Sequence, residues 1–227
     1  SQNITPDKGE ILVTGANGHL GNNLVRALSK QGHNVRAGIR NLDKSSSLAG
    51  VDCEIVYCDL LDKASLRAAL QDIDTLYQVA AVFKHWAEDE EKEIVEPNLL
   101  GTRNILQAAH EAGVKRVVYV SSIATLEQTR RNEDGEILVE GYNVSDQLNP
   151  YCRAKTLAEQ EAWKVADELD LDMVTVLQSS ESERIIRLFA AHMRGEVHED
   201  APIVSAELPE TGERFEGILP PVTLAPC

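Results

Sequence analysis

The segment that most constrains this chain is ILVTGANGHLG, residues 11–21. An apolar run ends in glycine, Gly15, Gly18 and Gly21 follow at three-residue spacing, and the amphipathic stretch NNLVRALSKQG begins at once. A buried strand that turns this tightly into a helix brings the helix N-terminus, with its unpaired N–H groups, to the strand's carboxyl end. Glycine allows both the turn and the close approach of backbone to a pyrophosphate, so strand, turn and helix together point to a dinucleotide. The candidate binding set is Gly15, Asn17, Gly18, His19, Leu20 and Gly21. A glycine triplet alone would serve a structural turn equally well.

The same alternation runs on. Strand-like runs at 34–40, 53–58, 74–82, 114–122 and 171–177 are separated by helical patterns at 63–71, 98–113 and 150–169. Asn149 is placed to cap the last of these helices and Pro150 to occupy its first turn. Apolar strands alternating with helices predict an α/β fold, a parallel sheet covered on both faces. Right-handed crossovers then give a doubly wound Rossmann sheet in the order 3-2-1-4-5-6, with ligands at the carboxyl ends of the strands.

Composition narrows the function. The chain has 227 residues, 43% of them hydrophobic, and a formal charge of −15. That charge argues against nucleic acid or an anionic membrane as partner. The apolar runs are short and broken by charges, so no membrane span is expected. The polar start SQNITPDKGE and cysteines without metal-ligand spacing (Cys53, Cys58, Cys152, Cys227) read as a cytoplasmic protein with reduced thiols. The acidic run Glu88–Glu93 reads as the solvated start of a helix.

The second strand bears on cofactor choice. NAD binding commonly uses a carboxylate at its end. Here the text is RAGIRNLDK, with Arg40 at the strand end and Arg36 and Lys44 near it. A planar guanidinium suits a 2′-phosphate, which favours NADP over NAD. Arg40 could instead be a surface arginine, and Asp43 keeps NAD open. In CDLLD after the third strand, Asp59, with Leu60 beside it, could meet the adenine; Asp59 could equally cap the helix that begins near Asp62.

For chemistry, YVSSIAT sets Ser121 and Ser122 at the carboxyl edge of the fifth strand, and NPYCRAK sets Tyr151 one helical turn before Lys155. A phenol titrates near 10 when unperturbed, and a nearby ammonium is expected to favour its phenolate. A serine hydroxyl can hold a substrate carbonyl while the phenol donates. Tyr-x-x-x-Lys is common by chance; its order along a sheet that opens with a glycine turn gives it meaning.

The pieces VTGANGHLGNNLVRAL, VRAGIRN, CDLLD, VAAVFKHWAEDEEKEIVEPNLLGTRNILQAA, VKRVVYVSSIATL and NPYCRAKTLAEQEAW resemble an extended short-chain dehydrogenase/reductase over about 10–177. Within that family they are most similar to the branch of dihydroflavonol 4-reductases and related NAD(P)-dependent epimerases and dehydratases. The resemblance implies Tyr151 as the catalytic acid–base, Lys155 as its helper on the nicotinamide ribose, and Ser122 as the group polarising the carbonyl, with Ser121 as fallback. It implies that Val79, Ala80 and Ala81 line the cofactor and that Tyr151 and Lys155 also contact it. It matches Asn98 to the family's Asn opening the long helix, where it could also be a plain N-cap. It further implies a small-molecule carbonyl substrate and a homodimer through the helices near 98–112 and 151–168.

After MVTVL the text changes. The family's loop over the nicotinamide and its substrate domain are not recognisable in QSSESERIIRLFAAHMRGEVHEDAPIVSAELPETGERFEGILPPVTLAPC. ERIIRLFAAHMRGEVHEDAPIVSAELPETGERFEGILPPV instead resembles part of the N-terminal domain of conjugal-transfer ATPases of the type IV secretion class, without a phosphate-binding G-x-x-x-x-G-K-[ST] loop. The expected organisation is a cofactor-binding domain over 1–178 and a foreign tail over 179–227, the junction falling near Gln178–Ser182. SERIIRLFAAHM is a helix candidate, and PIVSAEL and RFEGILP read as a hairpin that packs against an otherwise exposed sheet edge. Two other readings stay open: a dinucleotide binder without turnover, and an interaction module acting through the tail.

Overall fold

The computed structural model describes residues 10–82, 87–122, 125, 130–131, 137–138, 142, 150–178, 203–207 and 214–218. Along the chain these form β1 (Ile11–Thr14), α1 (His19–Lys30), β2 (Val35–Ile39), β3 (Glu54–Tyr57), α2 (Lys63–Ala69), β4 (Thr75–Gln78), α3 (Glu96–Glu111), β5 (Arg116–Ser122), β6 (Arg130–Arg131), β7 (Ile137–Leu138), α4 (Pro150–Glu168), β8 (Met173–Gln178), β9 (Ile203–Glu207) and β10 (Arg214–Ile218). The main sheet runs β3-β2-β1-β4-β5-β8-β10-β9, and β6 and β7 form a separate two-stranded ladder. Its first six strands are parallel, and they reproduce the expected order 3-2-1-4-5-6.

Alternation along each strand explains the two layers. On β1, Leu12 faces a core with Leu66 of α2 and Leu70 just after it, Ile105 and Leu106 of α3, and Ala162 and Val165 of α4. Its neighbours Ile11 and Val13 face the opposite core, with Leu24, Val25 and Leu28 of α1. Both faces of the strand are therefore apolar, as a sheet covered on both sides requires.

Helix ends follow local chemistry. Asp62, not Asp59, caps α2, its carboxylate accepting from the amides of Ala64 and Ser65. A π-helical turn over Glu91–Val95 leads into α3, with Ile94 and Val95 buried, so the acidic run does open a helix. Asn98 consequently lies inside α3 and is not its N-cap. Asn149 and the candidate helix SERIIRLFAAHM lie outside the described residues.

The strand-like runs of the tail continue the sheet. β10 pairs in parallel with β8 through Phe215 and Thr175, and β9 runs antiparallel to β10 with Ile203 opposite Ile218. The edge of β8 is thus paired. Among the described residues no helix is long and apolar enough to cross a membrane.

Candidate active site

The glycine turn builds the floor of a cleft of about 640 Å³ at the carboxyl ends of the strands. Gly15 has φ +63°, a conformation that costs other residues steric energy. The Ala16 amide donates to the carbonyl of Gly38 at 3.1 Å and the Gly18 amide to that of Gly15 at 2.9 Å. A Cβ on Gly21 would lie 2.3 Å from the Gly15 carbonyl oxygen, so only glycine lets α1 start this close to β1. Gly18, the residue before α1, offers no capping side chain, and the first turn holds no acidic residue. The first-turn amides of α1 therefore face the cleft without an internal acceptor, as a phosphate site needs. Gly15, Asn17, Gly18, His19, Leu20 and Gly21 all line it.

The wall beside it is Val79, Ala80 and Ala81, joined by Asn98. Sequence reasoning missed what holds it. The hydroxyl of Thr14 accepts from the amides of Val79 (2.9 Å) and Ala80 (3.0 Å) and donates to Gln78 Oε1 (2.8 Å). Gln78 Nε2 in turn donates to the Ala80 carbonyl at 2.8 Å. Asn98 fixes the next turn: its Oδ1 accepts from the Val82 amide, and its Nδ2 donates to the carbonyls of Val82 and Ile94. A buried polar residue at each of these positions was the available signal, since each must find partners.

The positive groups separate. Arg40 is exposed on the cleft wall. Lys44 is not among the lining residues; its backbone carbonyl accepts from Asn17 Nδ2 at 3.3 Å. Arg36 is excluded from any phosphate role. It sits near the start of β2, at the opposite end of the sheet, paired with Glu54 at 2.7 Å and Glu10 at 3.2 Å and donating to the carbonyls of Ala69 and Gln71. Strand direction decides this, because only the carboxyl end of β2 meets the cleft. Asp59 and Leu60 line the cleft, and one carboxylate oxygen of Asp59 accepts from the Leu61 amide.

On the far side, Tyr151 and Lys155 reach the cleft from α4. Successive residues of β5 point to opposite faces, which distinguishes the two serines. Ser122 lies within hydrogen-bonding reach of the Tyr151 phenol. Ser121 instead donates to the buried carboxylate of Glu159 on α4. Lys155 is buried, donates to the Val120 carbonyl at 3.0 Å, and stands 6.0 Å above the Tyr119 ring. Burial pulls its ammonium down to about 8, against the opposing field of Glu159. The Tyr151 phenol is pushed up rather than down, chiefly by burial, with the Ser122 hydrogen bond acting the other way. The expected lowering by Lys155 is not found: burial and Cys152 raise the phenol, Ser122 opposes them, and the Lys155 amine is committed to the Val120 carbonyl.

The NAD dependent epimerase/dehydratase family model matches residues 11–194, running past the Gln178–Ser182 junction. Cinnamoyl-CoA reductase 1 of Petunia hybrida is 36% identical over 179 residues, covering 73% of this chain and 52% of that protein. A putative dihydroflavonol 4-reductase of Synechocystis is 38% identical over 158 residues, covering 69% and 45%. The chain thus spans about half the length of these curated relatives. Among solved structures, yeast methylglyoxal/isovaleraldehyde reductase Gre2 complexed with NADPH superposes with a TM-score of 0.63 at 22% identity, over 74% of this chain and 57% of that one. The Bordetella bronchiseptica enzyme WbmG in complex with NAD does so with 0.60 at 21%, over 78% and 55%. At these identities both structural likenesses speak to the fold.

Proposed function

The chain belongs to the NAD dependent epimerase/dehydratase family, and from that premise we propose that it is an NADP-dependent reductase that converts a ketone or aldehyde to an alcohol. What supports the reading is that Tyr151 and Lys155 line a cleft whose floor is an uncapped helix N-terminus, with Ser122 in hydrogen-bonding reach of the phenol.

The residues present fit a dinucleotide. The α1 amides suit the pyrophosphate, and the glycines clear the space a Cβ would fill. Arg40 suits a 2′-phosphate at the end of a strand that carries no carboxylate there, which favours NADP over NAD. When bound, the nicotinamide supplies the hydride. Ser122 donates a hydrogen bond to the carbonyl oxygen, holding it beside the phenol. Tyr151 then gives its proton to the same oxygen as charge develops there. Its raised pKa keeps that proton in place at neutral pH, and an alkoxide is basic enough to take it. Lys155, anchored on Val120, presents its amine to the same cleft, where it would hold the nicotinamide ribose.

The proposal includes a homodimer through α3 and α4, and a tail of separate origin whose strands β9 and β10 close the sheet. The test is NADPH oxidation against a panel of aldehydes and ketones. Tyr151→Phe should lower turnover at least about a hundredfold, the scale of a positioned general acid, while NADPH still binds. NADPH binding without turnover of any carbonyl, or an unimpaired Tyr151→Phe, overturns it.

A further inference from the structure

Among the described residues, Glu159 is a buried carboxylate that neither the Ser–Tyr–Lys arrangement nor the cofactor cleft uses. It lies one helical turn beyond Lys155 on the inward face of α4, 5% exposed. Such a group is rarely buried without a task, because desolvation penalises its charge. The Ser121 hydroxyl donates to its Oε2, the Tyr142 hydroxyl reaches its Oε1 at 3.4 Å, and Thr125 and the Trp163 indole also offer hydrogen bonds. Burial pushes the Glu159 carboxyl up, while these donors and the Lys155 charge act the other way and fix where the charge sits.

We propose that Glu159 is a positioning residue: its anchored carboxylate supplies the counter-charge that keeps the buried Lys155 amine an ammonium in the cofactor cleft. The inference rests on the reductase reading for its purpose, and on geometry for its physics. Lys155 is 6% exposed, held by one carbonyl and one aromatic ring, neither of which carries a full negative charge. Of the titratable groups facing the pair, Tyr119 and Tyr151 have their phenols pushed up by burial and so stay neutral; Tyr142 donates toward the carboxylate. Glu159 is left to balance the amine. Ser121 thereby acquires a part that its neighbour Ser122 does not share: it ties the counter-charge to β5.

Lysine-selective NMR of the cofactor-free protein tests this, with the Lys155 signal assigned by its loss in Lys155→Arg. In Glu159→Gln the Lys155 titration should move down by about one pH unit, the order expected when a nearby opposite charge is removed inside a protein. Ser121→Ala, which leaves both charges and only loosens the carboxylate, should move it the same way by less. It also serves if the glutamine variant fails to fold. A Lys155 titration unchanged in the folded variants overturns the proposal. NADPH titration of the same samples keeps the two ideas apart. Wild-type protein that binds no dinucleotide defeats the reductase reading whatever the NMR shows. Wild-type protein whose binding weakens at high pH, with Glu159→Gln weakening at lower pH, supports the proposal in its functional form.

Discussion

The two sides of the cleft are built on different physics. The β1–α1 side is backbone: a left-handed Gly15, amides without caps, and glycines whose missing Cβ atoms make room. The β5–α4 side is side chains, several of them titratable and buried: Tyr119, Lys155 and Glu159 around the more open Tyr151. The first side is fixed by sterics, and its phosphate-facing groups are backbone amides, which do not titrate. The second depends on where protons reside, so desolvation sets its behaviour. The contrast predicts that steric and electrostatic perturbations act on opposite sides with little crosstalk.

The largest effect belongs to Gly21→Ala. Its methyl would meet the Gly15 carbonyl oxygen at 2.3 Å, and backbone on both sides leaves α1 to move away from the turn. We expect roughly 3 kcal/mol of overpacking cost, which in cofactor affinity is about a hundredfold weakening. Isothermal titration with NADPH checks it. The loss should be the same at every pH; a pH-dependent loss breaks the contrast.

Next comes Lys155. Burial pulls the folded amine down to about 8 from the ordinary 10.5, so the unfolded chain binds more protons between those values. Stability from this group therefore rises as pH climbs through that window, and the penalty is fully present below 8. The size is roughly 3 kcal/mol at most. Cofactor affinity should move the other way across the same window, because the ammonium is what the cleft offers. Melting temperatures and NADPH titrations from pH 7 to 10 separate the trends, and Lys155→Met should flatten both. Melting curves for wild type and Lys155→Met that run parallel would show that the amine is not desolvated in solution.

What the sequence revealed divides along the same line. The glycine turn was legible because a steric demand leaves only one residue type. The Tyr151–Lys155 spacing was legible because helix geometry alone puts residues four apart on one face. Glu159 was not, since its role depends on which of two adjacent serines points inward, a matter of strand register. Thr14 and Gln78 escaped for a similar reason: they are 64 residues apart and meet only across β1 and β4. Arg36 was read as lying near Arg40 because charge was read without strand direction. Asn98 looked like a cap because the π-helical turn before α3, which moves the helix start upstream, has no marker in composition.

A third prediction concerns the cofactor's adenosine end, where a flexible charge sits on the backbone-built side. Arg40→Ala should weaken NADPH by about tenfold, the worth of one charge-assisted contact, and leave NADH within about twofold. Equal losses for both dinucleotides would remove Arg40 from phosphate recognition and return Asp43 and NAD to the proposal.

The smallest effect probes the seam between the two sides. Thr14 is fully buried, and its hydroxyl holds the Val79 and Ala80 amides while donating to Gln78. Thr14→Val keeps the shape and strands two amides and a buried amide side chain. Unsatisfied buried groups cost about 1–3 kcal/mol, partly relieved if Gln78 turns to the freed amides. The expected outcome is a stability loss near the lower bound, read by urea denaturation, with cofactor affinity reduced only about threefold because the glycine floor is untouched. A loss of binding as large as that of Gly21→Ala would mean that the wall after β4, rather than the glycine turn, sets the cleft, and the division into a backbone side and a proton-bearing side would have to be redrawn around β4.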